Sequence, residues 1–254
     1  MLHFFRQQGS GTPILLLHGF MENNSMWMPL LPALKGRDVI VPDLPGHGSS
    51  PWDKSLLSMP FAVNELMKLM ADLKVDNFHI VGHSMGGYIA MEMLAQHPEQ
   101  VADLALFQST PINDSAVRIA IRNRAISAVL ENKKLYIRGM ISGLFAPHRR
   151  MLHDADVEKL IAHAAEMHAE TIASALAGMK DRKNHVETAK KYRNRVSLFT
   201  GSDDPRLILS EMLQEHEEIG YKMLMIAPEC GHMAHIESPV WGQNFLKTWA
   251  NDLS

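Results

Sequence analysis

The chain reads as an α/β protein: a mostly parallel central sheet flanked by helices, with a helical insertion in its second half. Three observations predict this. Short apolar runs without polar alternation recur along the chain and end in loops rich in Gly, Pro, Asp or His. Stretches with helical spacing separate them. The alternation lapses between residues 111 and 190 and then resumes. Unbroken apolar runs suit strands covered on both faces, and strand–helix–strand succession implies right-handed parallel crossovers.

Ile14–Leu17 is the first expected strand, ending at His18-Gly19. Val39–Val41 follows, closed by Pro42-Asp43, then Phe78–Val81, closed by Gly82, and Val101–Phe107, interrupted only by Asp103. Between them, Met59–Leu73 and Gly86–Gln96 carry helical spacing, with Ile89, Met93 and Leu94 on one face of the second. From Pro111 to about Lys190 no strand is expected. Ile119, Ile126 and Leu130 mark one helix; Val157, Leu160, Ile161, Ala164 and Met167 mark another over Asp156–His168; Ile172, Leu176 and Met179 mark a third. These stripes read as core-facing. Strands return at Val196–Thr200 and Lys222–Ile226, with helices at Ile208–His216 and Val240–Trp249. The expected division is a core of residues 1–110 and 191–254 and an inserted helical unit of residues 111–190.

Composition narrows the function. The 254 residues are 46% hydrophobic with a net charge of −3, which suits a globular core and lacks the basic excess of a nucleic-acid binder. Cys230 is the single cysteine, so no intrachain disulfide can form and a cysteine metal cage is not expected. No apolar run approaches the ~20 residues of a membrane span, and the first residues lack a signal peptide's apolar stretch. A soluble, cytoplasmic protein is expected. Oligomeric state leaves no mark in the sequence.

Gly82-His83-Ser84-Met85-Gly86 fits Gly-x-Ser-x-Gly between an expected strand and an expected helix. A serine raised on a sharp strand-to-helix turn leaves no room for side chains two positions either way, so glycine fills both places. The helix that follows presents free N–H groups and its positive dipole end toward the serine.

With this motif the chain resembles the α/β-hydrolase superfamily. Supporting stretches are His18-Gly19-Phe20, Asp43-Leu44-Pro45-Gly46-His47-Gly48-Ser49-Ser50, and Glu229-Cys230-Gly231-His232-Met233-Ala234-His235-Ile236-Glu237-Ser238-Pro239. The resemblance implies an α/β-hydrolase fold in which residues 111–190 form a helical cap. It also implies a serine nucleophile at Ser84, with a base and an orienting acid following it in the chain. His232 is the best base, and Gly201-Ser202-Asp203-Asp204 matches the Gly-x-x-Asp pattern with Asp204, Asp203 being its competitor. All three residues follow carboxyl ends of expected strands, the edge where open α/β sheets place their sites. Backbone N–H groups of Phe20 and Met85 are implied as the oxyanion hole, and their side chains, with Met21 and Met26, as pocket lining.

Several residues near these motifs have plainer readings. His18, His83 and His47 are expected to hold loops, Asp43 to hold its turn, and Cys230 to be a small buried residue. His235 competes weakly with His232 for the role of base. His163 and His168 lie five apart, where helical metal pairs prefer four, so no metal site is expected. No cofactor is implied. The expected activity is hydrolysis of a small-molecule carboxylic ester or thioester through an acyl-enzyme. Relatives with the same triad include carbon–carbon bond hydrolases, cofactor-free haloperoxidases or perhydrolases, and small-molecule receptors. Dehalogenases and epoxide hydrolases of this fold carry aspartate where this chain has Ser84.

Overall fold

The computed structural model describes residues 1–253. Seven strands form one sheet: β1 (Phe4–Gln7), β2 (Ser10–Leu17), β3 (Arg37–Pro42), β4 (Phe78–His83), β5 (Val101–Phe107), β6 (Val196–Gly201) and β7 (Met223–Ala227). Their order is β1-β3-β2-β4-β5-β6-β7. β1 pairs antiparallel with β3, and every other neighbouring pair is parallel. Strands β2 to β7 therefore deliver their carboxyl ends to one edge.

The apolar runs are unbroken because both faces of the sheet are covered. In β2, Leu15 and Leu17 enter one core cluster while Ile14 and Leu16 enter the other. Leu104 and Leu106 of β5 face the first cluster, Ala105 and Phe107 the second. The second cluster is built on aromatics: the rings of Phe107 and Phe199 stack at 4.5 Å, and Trp27 meets Phe107 edge-on at 5.4 Å.

Helices α1 (Met59–Asp72) and α2 (Met85–Gln96) connect β3 to β4 and β4 to β5. Ser58 caps α1 by accepting from the Phe61 N–H, and Pro60 sits in the first turn, where no N–H is needed. Between β5 and β6 the chain is helical: α3 (Ala116–Glu131), α4 (Lys133–Ser142), α5 (Asp154–Ala165), α6 (Ala169–Lys180) and α7 (Val186–Lys191). The last part holds α8 (Leu209–Ile219), α9 (Ala234–Glu237) and α10 (Pro239–Asn251).

Three local expectations need correction. β1 was not expected: it is a four-residue edge strand whose side chains are mostly half-buried, so it shows neither an apolar run nor alternation. Helix α5 stops at Ala165, three residues before the expected end at His168, and Lys133 Nζ donates to the carbonyls of Ala165 and Met167 there, each at 2.7 Å. The α3 stripe faces the core only in part: Ile126 packs against the first cluster and Ile119 is half-buried. Leu130 is 54% exposed, and Val129 alone of this helix is buried. The single residue Asn132 separates α3 from α4; its backbone leaves the helical region while its side chain caps α4 at the Leu135 N–H.

Candidate active site

Ser84 stands between β4 and α2 with φ 50° and ψ −113°, a backbone conformation that L side chains rarely adopt. The flanking glycines are required by contact. A Cβ at Gly82 would overlap the Gly86–Gly87 peptide, one at Gly86 would overlap the carbonyls of Leu17 and His18, and one at Gly87 would overlap the Ser109 hydroxyl. The turn is tied by the Ser84 N–H donating to the Phe107 carbonyl at 3.2 Å and by Ser109 Oγ donating to the Ser84 carbonyl at 2.7 Å.

Three loops at the carboxyl edge bring Ser84, His232 and Asp204 into line. His232 Nε2 is 2.9 Å from Ser84 Oγ, and His232 Nδ1 is 2.8 Å from Asp204 Oδ2. The other carboxylate oxygen of Asp204 accepts from the N–H groups of Arg206 and Leu207, at 2.7 and 3.1 Å. Asp204 is thus held at both oxygens, which fixes its aim at the imidazole. Asp203 turns elsewhere: its carboxylate accepts from Ser202 Oγ. Phe20 lines the cavity at Ser84, and Met85 follows Ser84 at the first position of α2. Neither backbone N–H has a partner within the chain among the described residues.

Beneath this line lies a buried charge network that sequence reasoning missed at Glu22. Glu22 Oε2 accepts from the Gly19 N–H at 2.8 Å and from His83 Nδ1 at 2.8 Å. His83 Nε2 meets the carbonyl of His232 at 3.0 Å. Both ring nitrogens of His83 therefore face acceptors, an arrangement that needs two ring protons and a positive charge. Burial alone would push His83 down and Glu22 up, but their mutual attraction and hydrogen bond prevail: His83 is raised and Glu22 lowered to about 2. His235 Nε2 stands 3.4 Å from Glu22 Oε1, and burial drives that imidazole down to about 4. The signal available in the sequence was a lone carboxylate three residues past Gly19, in a stretch free of other charges from His18 to Leu34.

The remaining motif residues hold loops. His18 donates from Nδ1 to the Gly19 carbonyl and accepts at Nε2 from the Leu44 N–H; burial keeps its pKa low. Asp43 accepts from the N–H groups of Asn24 and Ser49 and from His3. Cys230 is buried, which pushes its thiol up to about 12 and leaves it unreactive. No cluster of three or more side chains suited to a metal ion occurs among the described residues.

The cavity over Ser84 has a volume of about 640 Å³. Ser84, His232 and Phe20 form its floor, and Arg122 and Tyr136 of the inserted helices contribute to its walls. Met21 and Met26 do not line it, contrary to expectation. Met21 turns at φ 60° and packs into the first core cluster, and Met26 packs with Trp27 in the second. Met85 points beneath the site, into a small gap shared with Leu44 and Ile89. The methionines that do reach the cavity are Met140 and Met179. A larger cleft of about 870 Å³, between residues 46–54 and residues 163–171, excludes the triad.

Comparison with known proteins agrees with this architecture. The chain belongs to the alpha/beta hydrolase fold family, which it matches over residues 12–239. A thermophilic esterase from Thermogutta terrifontis, solved with malate bound, superposes with a TM-score of 0.90 at 25% identity, covering 98% of this chain and 93% of that one. The dihydrolipoyllysine-residue acetyltransferase component of an acetoin cleaving system from Pseudomonas putida is 28% identical over 94% of this chain and 63% of its own length. An uncharacterized protein of Mycobacterium tuberculosis is 40% identical over 103 residues, which are 40% of this chain and 30% of that protein. The match thus spans less than a third of the first curated relatives' length. No helix among the described residues is long and apolar enough to cross a membrane.

Proposed function

We propose that the chain is a serine hydrolase that cleaves a carboxylic ester or thioester through an acyl-enzyme. The observation that carries this reading is the Ser84–His232–Asp204 line, with spacings of 2.9 and 2.8 Å. His232 removes the Ser84 proton as Oγ attacks the carbonyl carbon. Asp204 holds the Nδ1–H tautomer and stabilises the imidazolium. The oxyanion is received by the N–H groups of Phe20 and Met85; one such donor contributes about 3–4 kcal/mol to the barrier in comparable sites. His232 then protonates the departing alcohol or thiol, and a water activated by the same imidazole releases the acid. Activity falls in acid as His232 takes up a proton, because the charged ring is no longer a base.

Residues 111–190 act in this reading as a helical cap over the core of residues 1–110 and 191–254, and the cap's contributions to the cavity wall support that role. The superposed esterase adds weight to ester chemistry over the other reactions of the fold. Turnover on a panel of p-nitrophenyl esters tests the proposal. Ser84→Ala should lower kcat by about 10⁴-fold or more with the fold intact, and a fluorophosphonate should label Ser84. Undiminished turnover by Ser84→Ala overturns the reading.

A further inference from the structure

The cavity over Ser84 is asymmetric in charge. Its middle is apolar, with Ala125, Ala128, Met140 and Leu176 on the walls. Arg118 and Arg206 line the cavity as well, together with Arg122, Asp114 and Glu131. Arg118 stands in the first turn of α3, and its Nη2 donates to the Arg206 carbonyl at 2.9 Å, which ties the two residues to one rim. Arg206 belongs to the turn that anchors the triad, since its N–H bonds Asp204 Oδ1.

Neither guanidinium has a carboxylate within ion-pair distance among the described residues; Arg118 is half-buried, as are other cations that do have one, and Arg206 is exposed. The acids nearest to hand are committed or remote. Asp114 is fully buried between Arg122, at a short contact with Nε, and Arg182, whose Nη1 lies 2.8 Å away. That trio retains a net positive charge. Glu131 is at the opposite end of α3, thirteen residues and about 20 Å along the axis from Arg118. Tyr136, on the same wall, is pushed up to about 12 by burial and feels the opposing pull of Arg122 and Arg206, which places those cations around its phenol. Two like charges on one rim repel, weakly where water screens Arg206 and more where Arg118 is half-buried, and an anion between them relieves that repulsion.

We infer that the substrate is an ester bearing a second, anionic group, a carboxylate or a phosphate, received by Arg118 and Arg206 while Ser84 addresses the ester carbonyl. Planar guanidiniums match both oxyanions through paired hydrogen bonds. The apolar side chains of the same cavity fit a hydrocarbon portion of that ester. This inference rests on the serine-hydrolase reading and adds the substrate class to it.

The test compares p-nitrophenyl esters of one acyl length whose far end is a methyl, a carboxylate or a phosphate. At low salt the wild type should prefer one or both anionic esters over the neutral one by about tenfold in kcat/KM. Added salt should erode the preference, and the better arm identifies the anion. Arg118→Gln with Arg206→Gln should bring the ratio near one, mainly through KM. Arg118→Glu with Arg206→Glu should shift preference toward a trimethylammonium-tipped ester, a gain that misfolding cannot produce. A wild-type ratio of one, or a preference that survives both double variants, overturns the inference and leaves the hydrolase reading standing. Failure of that reading shows separately, as Ser84→Ala turning over all three esters undiminished.

Discussion

Glu22 and His83 form an ion pair in the interior, and its stability has a definite pH window. Glu22 has a folded pKa of about 2 against an ordinary 4.5, so its contribution is full above pH 4.5 and is lost as pH falls through about 2. His83 is raised above 6.5, so its contribution is full below that value and is lost as pH rises through the raised pKa. The pair therefore stabilises most between about pH 4.5 and 6.5. Glu22→Gln should cost about 3–5 kcal/mol near pH 5.5, because it leaves a buried imidazolium without its partner. Urea unfolding at pH 5.5 and pH 9 should show a larger loss at the lower pH. Ser84 offers the opposite case. Its positive φ costs of order 1–3 kcal/mol, which glycine would relieve. Ser84→Gly should raise the melting temperature in calorimetry by a few degrees while abolishing turnover. Ser84, His232 and Asp204 were legible in the sequence because each sits in a short motif whose backbone sets its position. Glu22 was not, because its meaning comes from His83, 61 residues away. Met21 and Met26 were misplaced because loop proximity does not reveal which way a side chain turns.

Helix α8 shows how a stripe can conceal a polar member. Met212, Glu215 and Ile219 share its buried face. Glu215 receives the hydroxyls of Thr110 and of Tyr221, the latter at 2.5 Å, yet burial raises its carboxyl to about 7. A carboxyl raised above its ordinary 4.5 binds its proton more tightly in the folded chain. Stability therefore falls as pH rises from about 4.5 through 7, by a total of order 3 kcal/mol. Glu215→Gln should flatten that decline, which thermal melts at pH 5 and pH 8 would register; an unchanged slope would assign the decline to other groups. Strands β2 to β6 were readable at this scale because coverage on both faces makes their runs largely apolar, and the edge strand β7 because all five of its residues are apolar. β1 was not, since its four residues, Phe-Phe-Arg-Gln, are half-buried or exposed and hold only two apolar side chains. α4 was hidden by the one-residue break at Asn132, too short to be heard as a loop.

Across the whole molecule, burial is unevenly distributed. Strands β4, β5 and β6 are buried along nearly their full length and β2 over its last four residues, whereas α3 buries one residue in sixteen. Its attachment runs through α6 and through the Arg122–Asp114–Arg182 cluster. Amide hydrogen exchange should accordingly be fastest over residues 116–142 and slowest in β2, β4, β5 and β6. Uniform protection would show that the inserted helices unfold only with the core. The alternation of strands and helices was visible in the sequence at this scale. The placement of the inserted helices along the cavity that holds Ser84 was not, because it depends on packing between segments whose stripes look alike whether they face a core or a cavity.

Ser84 and its base are separated by 148 residues, and the base arrives on a loop after the last strand to join the sheet. During synthesis the alcohol emerges long before anything can deprotonate it. On the proposed mechanism a ribosome-bound intermediate thus carries an inert hydroxyl, and hydrolytic competence switches on once, late, with closure of the final strand pair. Chain topology is in this sense a built-in safety catch against premature acylation.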